Sequence, residues 1–201
     1  MLRVGLTGGL ASGKSFVGHA LADLGCHLIE ADELGHAVLL PDGEAYEGVA
    51  REFGPGILDQ AGFIDRKKLG ALVFANPELL EKLNRLVHPP VGQRQARIIA
   101  EIAGRDPQAI VVVAAAILVE TGSYKRFDRL IVVTCTLEQQ IERAMKRGPY
   151  SREEVLDRLS RQLPLDEKVR VADYVIDTSG SKENTLEQVR AVYKSLRSLS
   201  V

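Results

Sequence analysis

The chain has 201 residues, 45% hydrophobic and 26% charged, which is enough apolar material for one domain with an inserted lobe and excludes a disordered or fibrous chain. Its 26 Lys+Arg against 27 Asp+Glu leave a net charge of −1, so there is no broad cationic field for nucleic acid and any polyanion site must be local. The longest apolar run, residues 109–119, is far short of the roughly 20 residues a bilayer span requires.

Residues 2–7 are apolar and partly β-branched and run straight into glycines, which predicts a buried strand ending in a tight loop rather than a secretory leader. From Ser15 the period turns helical, with Val17, Leu21 and Leu24 on one side and Gly25 closing the helix. A short strand follows at residues 27–30, with Ala31-Asp32 at its C-terminal end. Between residues 32 and 105 the pattern is mainly helical, and this stretch reads as an insertion between strands. Residues 58–63 have the composition of a turn between two extended pieces. Asn76-Pro77-Glu78 supplies a cap, a proline at the first helical position and an acid in the first turn. That helix is expected to run to about Val87, where His88-Pro89-Pro90 breaks it, and a second helix then carries Val91, Ile98, Ile99 and Ile102 inward.

Residues 110–115 and 129–134 are β-branched runs suited to strands covered on both faces, and residues 174–177 form a fifth strand. Two capping boxes, Thr136 with Gln139 and Ser151 with Glu154, each open a charged amphipathic helix, and Gly148-Pro149 separates the two. A last helix spans residues 183–199 with Leu186, Val189, Val192 and Leu196 inward. The alternation of strands and helices predicts an α/β fold with a mostly parallel sheet. Cys26 and Cys135 lack any metal-ligand or disulfide-framework spacing and read as small buried hydrophobes in a reducing, cytoplasmic setting. Likewise His19, His27 and His36 show no metal-ligand spacing.

Chemistry concentrates in Gly8-Gly9-Leu10-Ala11-Ser12-Gly13-Lys14-Ser15, which fits GxxxxGK[ST] and lies after a strand and before a helix, where the mechanism of a phosphate loop demands it. Glycines let the backbone turn its N–H groups toward a polyphosphate, the helix N-terminus adds positive potential, and Lys14 brings a full charge to the β- and γ-phosphates. Ser15 is the expected Mg²⁺ ligand. A plain glycine turn needs neither Lys14 nor Ser15.

Three classes of phosphate-loop protein compete. A GTP-binding switch is suggested by Asp32-Glu33-Leu34-Gly35, which matches DxxG, but no NKxD occurs anywhere in the chain. A motor or transporter ATPase needs an acid at a core strand end, whereas Val113-Ala114-Ala115-Ala116 is followed by no carboxylate before Glu120. A small-molecule kinase needs a carboxylate beside the substrate hydroxyl and arginines that close over the phosphates. Asp32, just after the second strand, is the expected catalytic acid, with a helix N-cap as its alternative role. Arg143 and Arg147 share a helix face, and Arg152, Arg158 and Arg161 follow the Gly148-Pro149 hinge, a pattern that reads as a lid. Arg147, beside the hinge, is the first choice for a catalytic arginine.

The ordered series of motifs resembles the dephospho-CoA kinase family over nearly the whole length. It includes Val4-Gly5-Leu6-Thr7-Gly8-Gly9 leading into Ser12-Gly13-Lys14-Ser15, then Ala31-Asp32, Phe53-Gly54, and Gly62-Phe63-Ile64-Asp65-Arg66. Leu69, Phe74, His88-Pro89 with Val91, Leu118-Val119-Glu120, the stretch 143–147, Arg158 with Gln162, and Ala172-Asp173 complete it. The resemblance implies a three-layer kinase fold with a five-stranded parallel sheet. It places a nucleotide-binding core at 1–31, 106–147 and 164–201, a helical CoA-side insertion at 32–105 and a lid at 148–163. It implies ATP with Mg²⁺ and dephospho-CoA as partners, with no nucleic acid or membrane partner, and phosphorylation of the ribose 3′-hydroxyl. Catalytic roles then fall to Asp32, Lys14 and Arg147. Nucleotide binding falls to Gly9, Leu10, Ala11, Ser12, Gly13, Lys14, Ser15, Phe16 and Arg143. His88 has two readings, a helix-junction packing role and placement of the CoA substrate. The chain departs from the family pattern at Phe16, where a Thr is usual, at Ala114-Ala115-Ala116, and at Asp177, where an Asn is common. Another small-metabolite kinase, of nucleoside monophosphates or sugars, is the runner-up, and nothing in the sequence selects an oligomeric state.

Overall fold

Five parallel strands form one sheet in the order β2 (His27–Glu30), β3 (Ile110–Ala114), β1 (Leu2–Gly8), β4 (Arg129–Thr134) and β5 (Tyr174–Asp177) in this computed structural model, which describes residues 1–200. Leu6 of β1 lies in register with Ala114 on one side and Ile131 on the other, so β1 is central and its C-terminal end opens where the chain leaves in two directions. In open parallel sheets that switch point is where ligands bind. Every residue of β3 is buried, as its unbroken Ile-Val-Val-Val-Ala run requires of a strand covered on both faces.

The helices are α1 (Lys14–Asp23), α2 (Ala31–Ala37), α3 (Tyr46–Phe53), α4 (Arg66–Phe74), α5 (Pro77–Arg105), α6 (Leu137–Arg147), α7 (Arg152–Ser160), α8 (Leu165–Val169) and α9 (Lys182–Leu199). They divide with the strands into two units, Met1–Glu30 with the chain from Ile102 onward, and Ala31–Glu101.

In the first unit, Val4 and Leu6 of β1, Val17 and Leu21 of α1, Val112, Ile131 and Ile176 of the sheet, and Val189 and Leu196 of α9 form one core. Each such side chain contributes about 1.5–3 kcal/mol by leaving water. Cys26 belongs to this core, and burial pushes its thiol up to about 11, against a smaller opposing pull from Arg197. Cys135 is only half-buried, because it stands just past the end of β4 where the sheet gives way to the α6 cap. Burial raises its thiol as well. At the other end of the sheet, the Arg3 backbone N–H donates to Asp128 Oδ2 at 2.7 Å and the Asp128 N–H donates to the Arg3 carbonyl at 2.8 Å.

The second unit has its own core of Val38, Ala45, Val49, Ile57, Ile64, Leu69 and Val73. Asp65 caps α4 through Lys67 N–H at 2.9 Å, and Asn76 Oδ1 accepts from Glu78 N–H at 2.9 Å to open α5. The turn at 58–63 is closed by Asp59 Oδ1, which accepts from Ala61 and Phe63, with Gly62 at φ 84°.

One expectation fails. Helix α5 runs through Pro89 and Pro90 without ending. Leu79, Leu80, Leu83, Leu86, Val87 and Val91 all pack on the same core, so one apolar stripe continues across the proline pair and outweighs two missing N–H donors. His88 is therefore neither at a helix junction nor buried; it is exposed in mid-helix. No helix among the described residues is long and apolar enough to cross a membrane.

Candidate active site

Residues 8–15 connect β1 to α1, and the connection is shaped by backbone that side chains resist. Gly13 sits at φ 95° and Ala11 at φ 55°, left-handed positions that turn successive peptide units to one side. Ser12 N–H closes a turn on the Gly9 carbonyl at 3.1 Å, and Val17 N–H begins the helical ladder on the Gly13 carbonyl at 3.1 Å. Helix α1 opens on Gly13 with no side-chain cap and no acid in its first turn. No acid of the helix's own first turn compensates its dipoles, which favours an anion. Ser12 is 1% exposed and its hydroxyl has no hydrogen-bond partner. A buried orphan hydroxyl beside an uncapped helix start suits a phosphate oxygen.

The loop is held from below by residues distant in sequence. Gln140, buried in α6, donates from Nε2 to the Leu10 carbonyl at 2.7 Å, and Gln162 Oε1 accepts from Leu10 N–H at 2.9 Å. Leu10 is clamped on both its backbone groups. The Thr178 hydroxyl reaches the Ser12 carbonyl at 2.7 Å and accepts from Arg143 Nη1 at 2.9 Å, while Arg143 Nη2 donates to the Thr178 carbonyl at 2.7 Å. At φ 95° Gly13 is where a side chain would be strained, and a Cβ there would also meet Thr178 Oγ1 at 3.1 Å, while one on Gly9 would push aside the Gln140 Nε2 that holds Leu10. Local composition and periodicity give no signal for Gln140 of α6, Lys168 of α8 or Thr178 just past β5; only their burial marks them.

Beside the loop lies a cavity of about 320 Å³ lined by Gly13, Phe16, Arg143, Arg147, Thr178, Gly180, Lys182 and Thr185. That is the lower end of the size range of small-molecule sites, about 300–1,000 Å³. Phe16 presents an aromatic wall, and three cations make the hollow electropositive. Asp177 is not part of it, since its carboxylate accepts from Ser179 N–H at 2.9 Å and Ser179 Oγ at 2.7 Å within its own turn.

The arginines separate by what holds them. Arg152 makes a two-pronged pair with Glu138 at 2.6 and 2.8 Å, Arg158 stacks 3.9 Å over Tyr150, and Arg161 pairs with Asp157 at 2.7 Å. Arg143 is fixed on Thr178. Arg147 is exposed at the end of α6, lines the cavity, and has no hydrogen bond or ion pair among the described residues. Residues 148–163 include α7, opened by the Ser151–Glu154 capping box, and Val155 is buried with Ile141 and Ala144 of α6 and with Ala11 of the loop.

Asp32 lies two residues beyond Glu30, the last residue of β2, in the first turn of α2, and is exposed. Helix α2 already includes Ala31, so Asp32 is not the N-cap that its alternative reading required. His36, on the same helix, lies 3.3 Å from Arg66. Burial first and Arg66 second lower its pKa. Among the described residues no cluster of three or more His, Cys, Asp or Glu could hold a metal ion.

A family model described as dephospho-CoA kinase matches residues 2–184. The dephospho-CoA kinase of Aquifex aeolicus is 42% identical over 98% of this chain and 98% of its own. Among solved structures, a Thermus thermophilus protein superposes with TM-score 0.82 at 32% identity, covering 97% of both chains. The dephospho-CoA kinase from Campylobacter jejuni superposes with TM-score 0.69 at 26% identity, over 99% of this chain and 98% of that one.

Proposed function

The chain belongs to the dephospho-CoA kinase family, and on that premise we propose that it transfers the γ-phosphoryl group of ATP to the ribose 3′-hydroxyl of dephospho-CoA, giving CoA and ADP, the last step of CoA biosynthesis. The observation that carries the ATP half of this reading is the uncapped α1 N-terminus with the orphan Ser12 hydroxyl, cradled by Gln140, Gln162 and Thr178. Within residues 9–16 the Leu10 and Ser12 N–H groups are taken by Gln162 and Gly9, and the N–H groups from Gly13 to Phe16, at the start of α1, grip the triphosphate while Lys14 neutralises its outer charge. The adenosine portion is assigned to the 320 Å³ cavity, with Phe16 against the base and Arg143 and Arg147 toward the phosphates. A divalent ion would be held by Ser15, exposed on the first turn of α1, together with phosphate oxygens. When bound, that ion would supply charge neutralisation to the phosphates.

Asp32 is assigned to the acceptor hydroxyl, whose proton it orients or receives while the oxygen attacks in line. Arg147 is the arginine left for the transferring phosphoryl group, because the other four have protein partners. Residues 148–163 would serve as the lid that excludes water, and 32–105 as the CoA side. A cytoplasmic setting accords with two free cysteines. The test is an ADP-release assay run over dephospho-CoA, nucleoside monophosphates and sugars. Turnover should occur with dephospho-CoA alone; comparable turnover of another acceptor with none of dephospho-CoA overturns the assignment.

A further inference from the structure

Behind the phosphate loop lies a charged pair that the proposed chemistry does not use. Lys168 of α8 is 0% exposed, and its ammonium reaches Glu120 Oε1 at 2.6 Å, the Ala116 carbonyl at 2.9 Å and the Gly8 carbonyl at 3.4 Å. Its three protons are thus divided among the end of β1, the segment after β3 and one carboxylate. The same Glu120 oxygen accepts from Leu163 N–H at 3.3 Å, while Oε2 is buried without a partner. Leu163 follows Gln162, which holds Leu10, and Leu165 of α8 stands 3.3 Å from where a Gly9 Cβ would be.

A pair that served only to dock α8 could be replaced by apolar side chains at little or no cost, because burying two charges offsets most of their attraction. What apolar groups could not do is donate to the Gly8 and Ala116 carbonyls while fixing Leu163. We propose that Lys168 and Glu120 are positioning residues for the transfer, joining the end of the 148–163 segment to the first carbonyl of the phosphate loop so that loop shape and segment anchorage are set together. The proposal rests on the loop being the ATP site. The pair is neutral as a whole, so it contributes geometry and not charge to the phosphates.

The test uses the full chain and the variants Lys168→Met, Glu120→Gln and Lys168→Met/Glu120→Gln. Titration calorimetry with AMP-PNP and Mg²⁺ reads the loop whatever the acceptor, so a wild-type chain inert toward dephospho-CoA counts against the proposed acceptor and not against the pair. Lys168→Met should weaken AMP-PNP and raise the ATP KM by about tenfold or more, leaving the dephospho-CoA KM within about twofold. The double variant buries no charge, so its melting temperature should recover while AMP-PNP affinity stays low. Affinity recovering together with melting temperature, or wild-type affinity in Lys168→Met, overturns the proposal. Where Lys168→Met does not fold, Glu120→Gln decides by amide exchange: faster exchange at Leu10 and Leu163 than in wild type is expected, and unchanged exchange at both overturns it.

Discussion

Asp32 stands exposed in the first turn of α2 beside Glu33. If its task is the acceptor proton, Asp32→Asn should lower kcat by about 10² or more with the ATP KM nearly unchanged, the size expected of a general base. Steady-state kinetics in both substrates checks this, and a loss of melting temperature with full kcat would return Asp32 to a structural role. Phe16 poses a different question, because a Thr there would offer a hydroxyl where this chain offers a ring. Its ring lines the cavity beside Arg143 and Arg147, and base–aromatic stacking is worth about 1–3 kcal/mol. Phe16→Thr should therefore weaken AMP-PNP by about 5- to 140-fold while tripolyphosphate, which has no base, binds as in wild type. Equal losses for both ligands would mean that the ring shapes the loop and not the base site.

At the level of elements, the proline pair in α5 is the clearest case of packing overruling local preference. Each proline removes a donor and crowds the carbonyl four residues earlier, at about 3 kcal/mol or more in a helix interior. The helix persists because residues on both sides of the pair bury one stripe in the second unit's core. Pro89→Ala should accordingly restore one ladder bond and raise the urea midpoint, by about 1–3 kcal/mol in unfolding free energy. A lowered midpoint would show that the ring itself is packed into the fold. The sequence told the start of α5 correctly because Asn76-Pro77-Glu78 acts locally, and the capping boxes at Thr136 and Ser151 were equally legible. It misjudged the middle, where the deciding contacts are tertiary.

Across the whole molecule the same division holds. The glycine loop was readable because its pattern lies in consecutive residues, and the sheet because its inner strands are largely apolar, β3 without a break. The loop's supports were not, because Gln140, Lys168 and Thr178 meet it across 130 to 166 positions of sequence, and glutamine and lysine ordinarily mark solvent-facing helix. Acidification protonates the 27 Asp+Glu and leaves the 26 Lys+Arg unopposed, a repulsion common to the wild type and to a single-site variant, so the difference between the two reads one carboxylate. Asp128 is the one joining the start of β1 to the start of β4. Partial burial would raise its pKa, but the Arg3 backbone N–H, the Arg3 guanidinium and Arg129 together hold it below the usual carboxylate value. A carboxylate depressed in the folded state stabilises fully above its unfolded pKa of about 3.9, and that contribution is lost as pH falls through the lower folded value. Asp128→Asn should therefore melt below wild type at pH 7, with the gap narrowing as pH drops below about 4. The side chain is 37% exposed, so added salt should also shrink the gap at pH 7. Melting curves of both proteins from pH 7 to about 3 decide the matter. A gap that stays constant over that range would assign the loss to the amide's poorer fit against the Arg3 N–H and not to charge.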